Sequence, residues 1–189
     1  MKLFLIRHGE TIENQQGIFQ GHMPGKLSEE GKEQAEKVAL RLKDEKIDVI
    51  YSSDLARAAD TANIIKKYHD APIILTKDLR EFDIGSLSGK HRDEVAHIDW
   101  KNNPPEGSET EEHAKKRLIR VLDKIYKEHP NSTVVFVSHG SIGRQLIGHI
   151  INKPVEEVDN LRNTSVSIFE ITGDKNHKVH VINSLEHLK

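Results

Sequence analysis

Arg7 and His8 directly follow the apolar run at residues 2–6, and His139 follows the β-branched run at 133–137 by way of Ser138. The apolar run at 47–51 leads through Ser52, Ser53 and Asp54 to Arg57. Two guanidiniums and two imidazoles that each trail an apolar run form a compact anion site if those runs are strands of one sheet. Guanidinium forks match phosphate oxygens better than ammonium point charges do, so phosphate is the expected anion. A neutral imidazole can attack phosphorus directly. Cationic neighbours disfavour the imidazolium and stabilise charge on the transferring group, so this chemistry requires no metal. The leaving alkoxide needs a proton, which Glu81 is placed to supply before taking one back from water. Taken singly, each Arg reads as half of a surface ion pair and each His as an ordinary core or surface residue; their joint arrival at strand ends favours a site.

The positioning elements follow from hydrophobic period. Residues 2–6 read as a buried first strand, and 47–51, 73–75 and 133–137 as further strands. Ser28 reads as the N-cap of a helix running to about Glu45 through Ala35, Val38, Ala39 and Leu42. Asp54 reads as the cap of a second helix carrying Ala58, Ala62 and Ile65, and Ser108 with Glu111 as a capping box ahead of Leu118, Val121, Leu122 and Ile125. An apolar helix follows His139 and runs through Ile151. Val166, Ile168, Ile171, Val179 and Val181 alternate with polar residues around Gly173-Asp174, as half-buried strands do. Alternating strands and helices imply an α/β three-layer sandwich with a mainly parallel sheet, whose ligand site lies at the carboxyl ends of the strands. The segment from about 81 to 106 is irregular, with Gly85, Gly89, Pro104 and Pro105, and reads as a small cap that sets substrate choice together with the turn at His22 and Met23. Trp100, the one tryptophan, is expected to anchor it. Lys90, His91 and Arg92 read either as contacts to a second anionic group or as solvated loop charges.

The whole 189-residue chain is expected to form one domain. With no cysteine, disulfides and thiolate metal sites are excluded, and a reducing, cytoplasmic setting is expected. Lys and Arg total 28 against 30 Asp and Glu, so no global basic field recruits nucleic acid or an anionic membrane. The longest apolar run near the start, residues 3–6, is too short for a membrane span or signal core.

The constellation also resembles a known family. Arg7-His8-Gly9-Glu10-Thr11 followed by Asn14 resembles the signature of the histidine phosphatase superfamily, whose fold is that of the phosphoglycerate mutases. Leu27-Ser28-Glu29-Glu30-Gly31 with Gln34-Ala35, then Ser52-Ser53-Asp54-Leu55 with Arg57-Ala58 and Thr61-Ala62, match in order. So do Leu79-Arg80-Glu81-Phe82 with Gly85 and Gly89, and Ser138-His139-Gly140; the resemblance runs from Met1 to Asn163-Thr164-Ser165. It implies that His8 is the nucleophile and becomes phosphohistidine. Arg7, Arg57 and His139 would hold the phosphoryl group and Glu81 would be the proton donor. Asn14, Gln20, Gly21 and the Gly140 N–H would be further phosphate contacts, with no metal and no cofactor.

That family contains mutases as well as phosphatases. Mutases resemble one another in a Tyr soon after the donor Glu and in a later pair of adjacent arginines, whereas here Phe82-Asp83-Ile84-Gly85 follows Glu81 and no Arg-Arg pair precedes Ser138. The expectation is a metal-independent phosphatase of small phosphomonoesters, of the short broad-specificity or alpha-ribazole phosphatase type, with a homodimer among the possible assemblies. The alternatives are mutase-type phosphoryl transfer and a phospholigand-binding module without turnover. Gly85-Ser86-Leu87-Ser88-Gly89-Lys90-His91 departs from a phosphate-binding P-loop in both spacing and final residue, and neither a Gly-x-Ser-x-Gly elbow nor a His-Glu-x-x-His helix occurs. His69, His97, His113, His129, His177 and His187 read as surface residues. Asn131-Ser132-Thr133 and Asn163-Thr164-Ser165 fit a glycosylation sequon that the expected setting would leave unused, and Asn163 reads instead as ordering a turn near the pocket.

Overall fold

The computed structural model describes residues 1–98 and 103–189, so the role expected of Trp100 falls outside the described residues. Strands β1 (Lys2–Arg7), β2 (Val49–Ser53), β3 (Ile73–Thr76), β4 (Thr133–Ser138), β5 (Val166–Glu170) and β6 (Lys178–Ser184) form one sheet in the order β3-β2-β4-β1-β5-β6. The first four in that order are parallel; β5 runs antiparallel to β1, and β6 antiparallel to β5. The helices are α1 (Ile12–Gln15), α2 (Glu29–Leu42), α3 (Ala56–Lys66), α4 (Arg92–Val95), α5 (Glu111–Glu128) and α6 (Gly140–Ile151).

Side chains alternate across the strands, and both faces are covered. Leu3, Leu5, Val49, Tyr51, Val134 and Phe136 pack with Leu118, Leu122 and Ile125 of α5 and with Ile142, Leu146 and Ile147 of α6. Phe4, Ile6, Ile50, Val135 and Val137 pack on the other side with Val38, Ala39 and Leu42 of α2 and with Ala58, Ala62 and Ile65 of α3. The expected three layers result. The chain moves outward from β1 to β2 and β3 and then returns to β4. With right-handed crossovers, the two directions of travel must carry their helices on opposite faces. Connections leaving the adjacent strands β1 and β4 therefore diverge, and a crevice opens where they part. The register pairs Arg7 with Ser138 and Ser52 with Val137, which sets the ends of β1, β4 and β2 side by side at that crevice.

Two of the expected caps are corrected. Helix α3 is capped by Leu55 without a side-chain bond, because the Asp54 carboxylate is engaged by Arg80 in a two-pronged pair at 2.6 and 2.6 Å. Helix α5 is capped by Thr110, whose Oγ1 accepts from His113 N–H, while Ser108 bridges to Ile84. Ser28 does cap α2, which ends at Leu42 rather than near Glu45. Within the irregular segment, Ile84, Leu87 and Val95 form a small separate cluster with Phe82 and Ile98. Among the described residues no helix is long and apolar enough to cross a membrane.

The loop after β1 is pressed onto the start of α2. Ser28 N–H donates to the Glu10 carbonyl at 3.0 Å, and Gly31 N–H donates to Ser28 Oγ at 3.0 Å. A Cβ added at Gly31 would stand 1.9 Å from the Glu10 carbonyl oxygen. Gly31→Ala is therefore expected to force this loop away and lower Tm by about 3–10 °C, the scale of overpacking in a chain of this size. A thermal melt checks it, and an unchanged Tm would show that the loop yields freely.

Candidate active site

His8 is buried at the carboxyl end of β1, with 3% of its surface exposed. Its Nδ1 lies 2.7 Å from the Gly9 carbonyl oxygen, which can only accept, so Nδ1 carries the proton and Nε2 keeps a lone pair. Burial first, then the charges of Arg57 and Arg7, hold this imidazole's pKa well below the ordinary 6.5. Its backbone is clamped as well. The His8 carbonyl accepts from Asn163 Nδ2 at 3.1 Å and from Thr164 N–H at 3.2 Å, and Thr164 holds a left-handed φ of 52°. A β-branched residue there costs about 1–3 kcal/mol, so its surroundings must enforce it.

His139 caps the start of α6 and lies tilted beside His8, ring centroids 5.2 Å apart. Arg57 Nε donates to its Nδ1 at 3.2 Å, which leaves its Nε2–H to donate to Ser53 Oγ at 2.9 Å. Burial, followed by Arg57, His8, Arg7 and Arg117, holds the His139 imidazole well below its ordinary pKa too. Arg57 is 1% exposed and donates from Nη1 to the carbonyls of Met23 at 2.6 Å and Pro24 at 3.4 Å and from Nη2 to that of Gly21 at 2.9 Å, which leaves one Nη2 N–H for a ligand. Burial pulls this guanidinium down to about 10, against Glu81 and Glu13, so it stays charged at neutral pH. Arg7 donates from Nη1 to the Leu161 carbonyl at 2.5 Å, while its buried Nε has no partner in the protein. A buried unpaired donor of this kind is what a bound anion would satisfy.

Glu81 sits at the N-terminus of α6. Its Oε2 accepts from Ser141 N–H at 3.0 Å, and its Oε1 from Ile142 N–H at 3.0 Å and Phe82 N–H at 3.1 Å. Its own carbonyl accepts from Arg117 at 3.1 Å and from His22 Nε2 at 2.9 Å. Arg117 is in turn fixed by a buried fork to Glu109 at 2.7 and 2.8 Å. The sequence reading missed Arg117, although a guanidinium on the apolar stripe between Ala114 and Val121 was a signal for it.

The four further contact residues are close to this centre in different ways. Asn14 Oδ1 accepts from Thr11 N–H at 3.2 Å and from Asn163 Nδ2 at 3.4 Å. Gln20 is buried, donating to Thr11 Oγ1 at 2.9 Å and leaving Oε1 unpartnered. Gly21 faces Arg57 through its carbonyl. Gly140 opens the first turn of α6, where N–H groups lack intrahelical acceptors, and a Cβ on it would meet Arg7 Nε at 3.5 Å. His91 caps α4, and both its ring and Arg92 lie against Gly17. His187 departs from the expected surface position: it is half-buried, bonded to Arg41 and Thr164. Among the described residues no three His, Cys, Asp or Glu side chains converge as a metal site would require.

Comparison with known proteins agrees with this geometry. The profile of the histidine phosphatase superfamily, branch 1, matches residues 3–184. Phosphoglycerate mutase-like protein 4 of Arabidopsis thaliana is 32% identical over 100% of this chain and 87% of its own. A metal-independent phosphoserine phosphatase of the same plant is 34% identical over 92% of this chain and 78% of its own. A solved phosphoserine phosphatase from Entamoeba histolytica, in complex with phosphoserine, superposes with a TM-score of 0.87 at 30% identity, covering 100% of this chain and 99% of that one. A profile match over nearly the whole length, joined to this fold, means that the chain belongs to the histidine phosphatase superfamily, branch 1.

Proposed function

We propose that the protein hydrolyses small phosphomonoesters without a metal, through a phosphohistidine formed on His8. The observation that carries this reading is the buried His8 ring, held neutral with Nε2 unprotonated between two arginines. In the first step the Nε2 lone pair forms a bond to phosphorus as the ester P–O bond breaks. Arg7, Arg57, His139 and the Gly140 N–H stabilise charge on the transferring group, with Asn14, Gln20 and Gly21 shaping the pocket. Glu81, protonated, gives its proton to the departing oxygen. In the second step water attacks the phosphohistidine, Glu81 takes the proton of that water, and inorganic phosphate leaves with the imidazole restored. Three N–H donors anchor the Glu81 carboxylate in the structure, so as the acid it must turn one oxygen away from them to direct an O–H at the leaving oxygen.

Phosphoserine belongs in the first substrate panel, since similar proteins carry that activity in their names. The lack of a Tyr near Glu81 and of adjacent arginines before Ser138 supports hydrolysis over mutase transfer. The cysteine-free chain suits a reducing, cytoplasmic setting, which is part of the same proposal.

The test is phosphate release from phosphoserine, 3-phosphoglycerate, alpha-ribazole phosphate and an aryl phosphate in the presence of chelator. Wild type is expected to turn over, and His8→Ala to lose at least about a thousandfold in kcat. Loss of turnover in chelator, restored by one added divalent metal, would reject the metal-free step. Binding without turnover would favour a phospholigand-binding module. Glu81→Gln is expected to cost about 10²–10⁴-fold on alkyl phosphates and far less on the aryl phosphate, whose leaving oxygen needs no proton; equal losses would remove the acid role. Because the His8 pKa lies well below 6.5, its ring NMR signal, assigned by comparison with His8→Ala, should begin to titrate only as pH falls well under that value. A midpoint at or above 6.5 would contradict the buried neutral nucleophile.

A further inference from the structure

The loop at residues 160–165 touches both groups at the end of β1. Leu161 gives its carbonyl to Arg7 Nη1 at 2.5 Å, and Asn163 Nδ2 and Thr164 N–H both bond the His8 carbonyl. Thr164 N–H also bonds the Arg7 carbonyl at 3.0 Å, and Ser165 accepts from Arg7 N–H at 3.3 Å. This bracket is in turn held by the C-terminal part of the chain. Asn183 Oδ1 accepts from Arg162 N–H at 3.0 Å, and Asn183 Nδ2 donates to the Asn160 carbonyl at 3.0 Å. His187, in the 3-10 turn Glu186–Leu188, lies 3.2 Å from Thr164 Oγ1. On its other side Arg41 Nη1 reaches His187 Nδ1 at 3.3 Å and Ser184 Oγ at 3.1 Å. A guanidinium can only donate, so Nδ1 accepts and the His187 proton is on Nε2, directed at Thr164.

We propose that His187 is a positioning residue for His8, acting through Thr164 to hold the loop that clamps the His8 backbone. The inference rests on the reading of His8 as nucleophile. Thr164 is fully buried in a left-handed conformation that a β-branched side chain rarely adopts, and among the described residues the bond from His187 is the one its hydroxyl makes. Without that bond the turn relaxes, the His8 carbonyl loses its fixed donors, and the Nε2 lone pair no longer stays aligned with phosphorus. Displacements of this kind affect the chemical step more than binding, because Arg57, held by the 21–24 turn and His139 rather than by this loop, still grips substrate phosphate. His187 contacts no reacting atom in this arrangement, and its effect is on rate.

The test compares kcat and KM for an aryl phosphate in the full chain, using wild type, His187→Ala, His187→Gln, Thr164→Val and Thr164→Ser, with His8→Ala alongside. His187→Ala and Thr164→Val are expected to lower kcat about tenfold with KM within about twofold. Gln can accept from Arg41 and donate to Thr164 with one amide, and Ser keeps the hydroxyl, so both should recover kcat to within about threefold of wild type. A wild-type kcat in His187→Ala, a loss in KM alone, or an equal loss in His187→Gln would each overturn the proposal. If His187→Ala does not fold, as circular dichroism will show, the Thr164 pair decides: equal kcat in Val and Ser overturns it. Activity surviving in His8→Ala would sink the nucleophile reading and this inference with it. An inactive His8→Ala beside an unaffected His187→Ala would reject the positioning role alone.

Discussion

Burying a guanidinium is the constraint around which the site is organised. Arg57 has almost no exposed surface, and the effective penalty for taking such an ion from water is several kcal/mol unless its donors are met. The carbonyls of Gly21, Met23 and Pro24 and the ring of His139 meet four of its five, so the turn at 21–24 is folded around a charge rather than around an apolar core. The same requirement fixes protonation. His139 must accept on Nδ1 because Arg57 can only donate, and burial, followed by the two arginines, keeps a second proton off His8. Glu81 and Glu13 offset part of the cost from a distance.

Much of this was legible in the chain. The apolar runs at 2–6 and 133–137 announced strands by their length, the second also by its β-branched content, and a polar break after each announced the carboxyl end where ligands bind. Asp54 and Ser108 were misread for a common reason: any short polar side chain before an apolar stripe looks like a cap. Whether it caps is decided by a distant partner, here Arg80 for Asp54. Arg117, Thr164 and His187 act through contacts that span long stretches of sequence. No local pattern encodes such contacts: nothing near His187 in the sequence points to Arg41 or Thr164, which flank it in the fold.

The phosphate end and the substrate end of the site are built differently. Around His8, rigid elements converge and nearly every donor has a partner. Across the mouth, residues 82–98 rest on a small apolar cluster of their own and on bridges such as Ile18 to His91. In the proposed reading, group transfer relies on the first kind of construction and choice among leaving groups on the second, and the two meet where Ile84 abuts Gly21, whose carbonyl holds Arg57.

The sheet order also bears on synthesis. β1 is flanked by β4 and β5, so the strand that ends in Arg7 and His8 has no neighbour until residues beyond 132 exist. At about 5–20 residues per second, a ribosome leaves that apolar strand unpaired for on the order of ten seconds. β2 and β3 can pair with each other much earlier, and α2 and α3 can cover them. The nascent chain therefore holds Arg7 and His8 on a strand that stays unpaired until β4 is made and whose second seam closes only with β5.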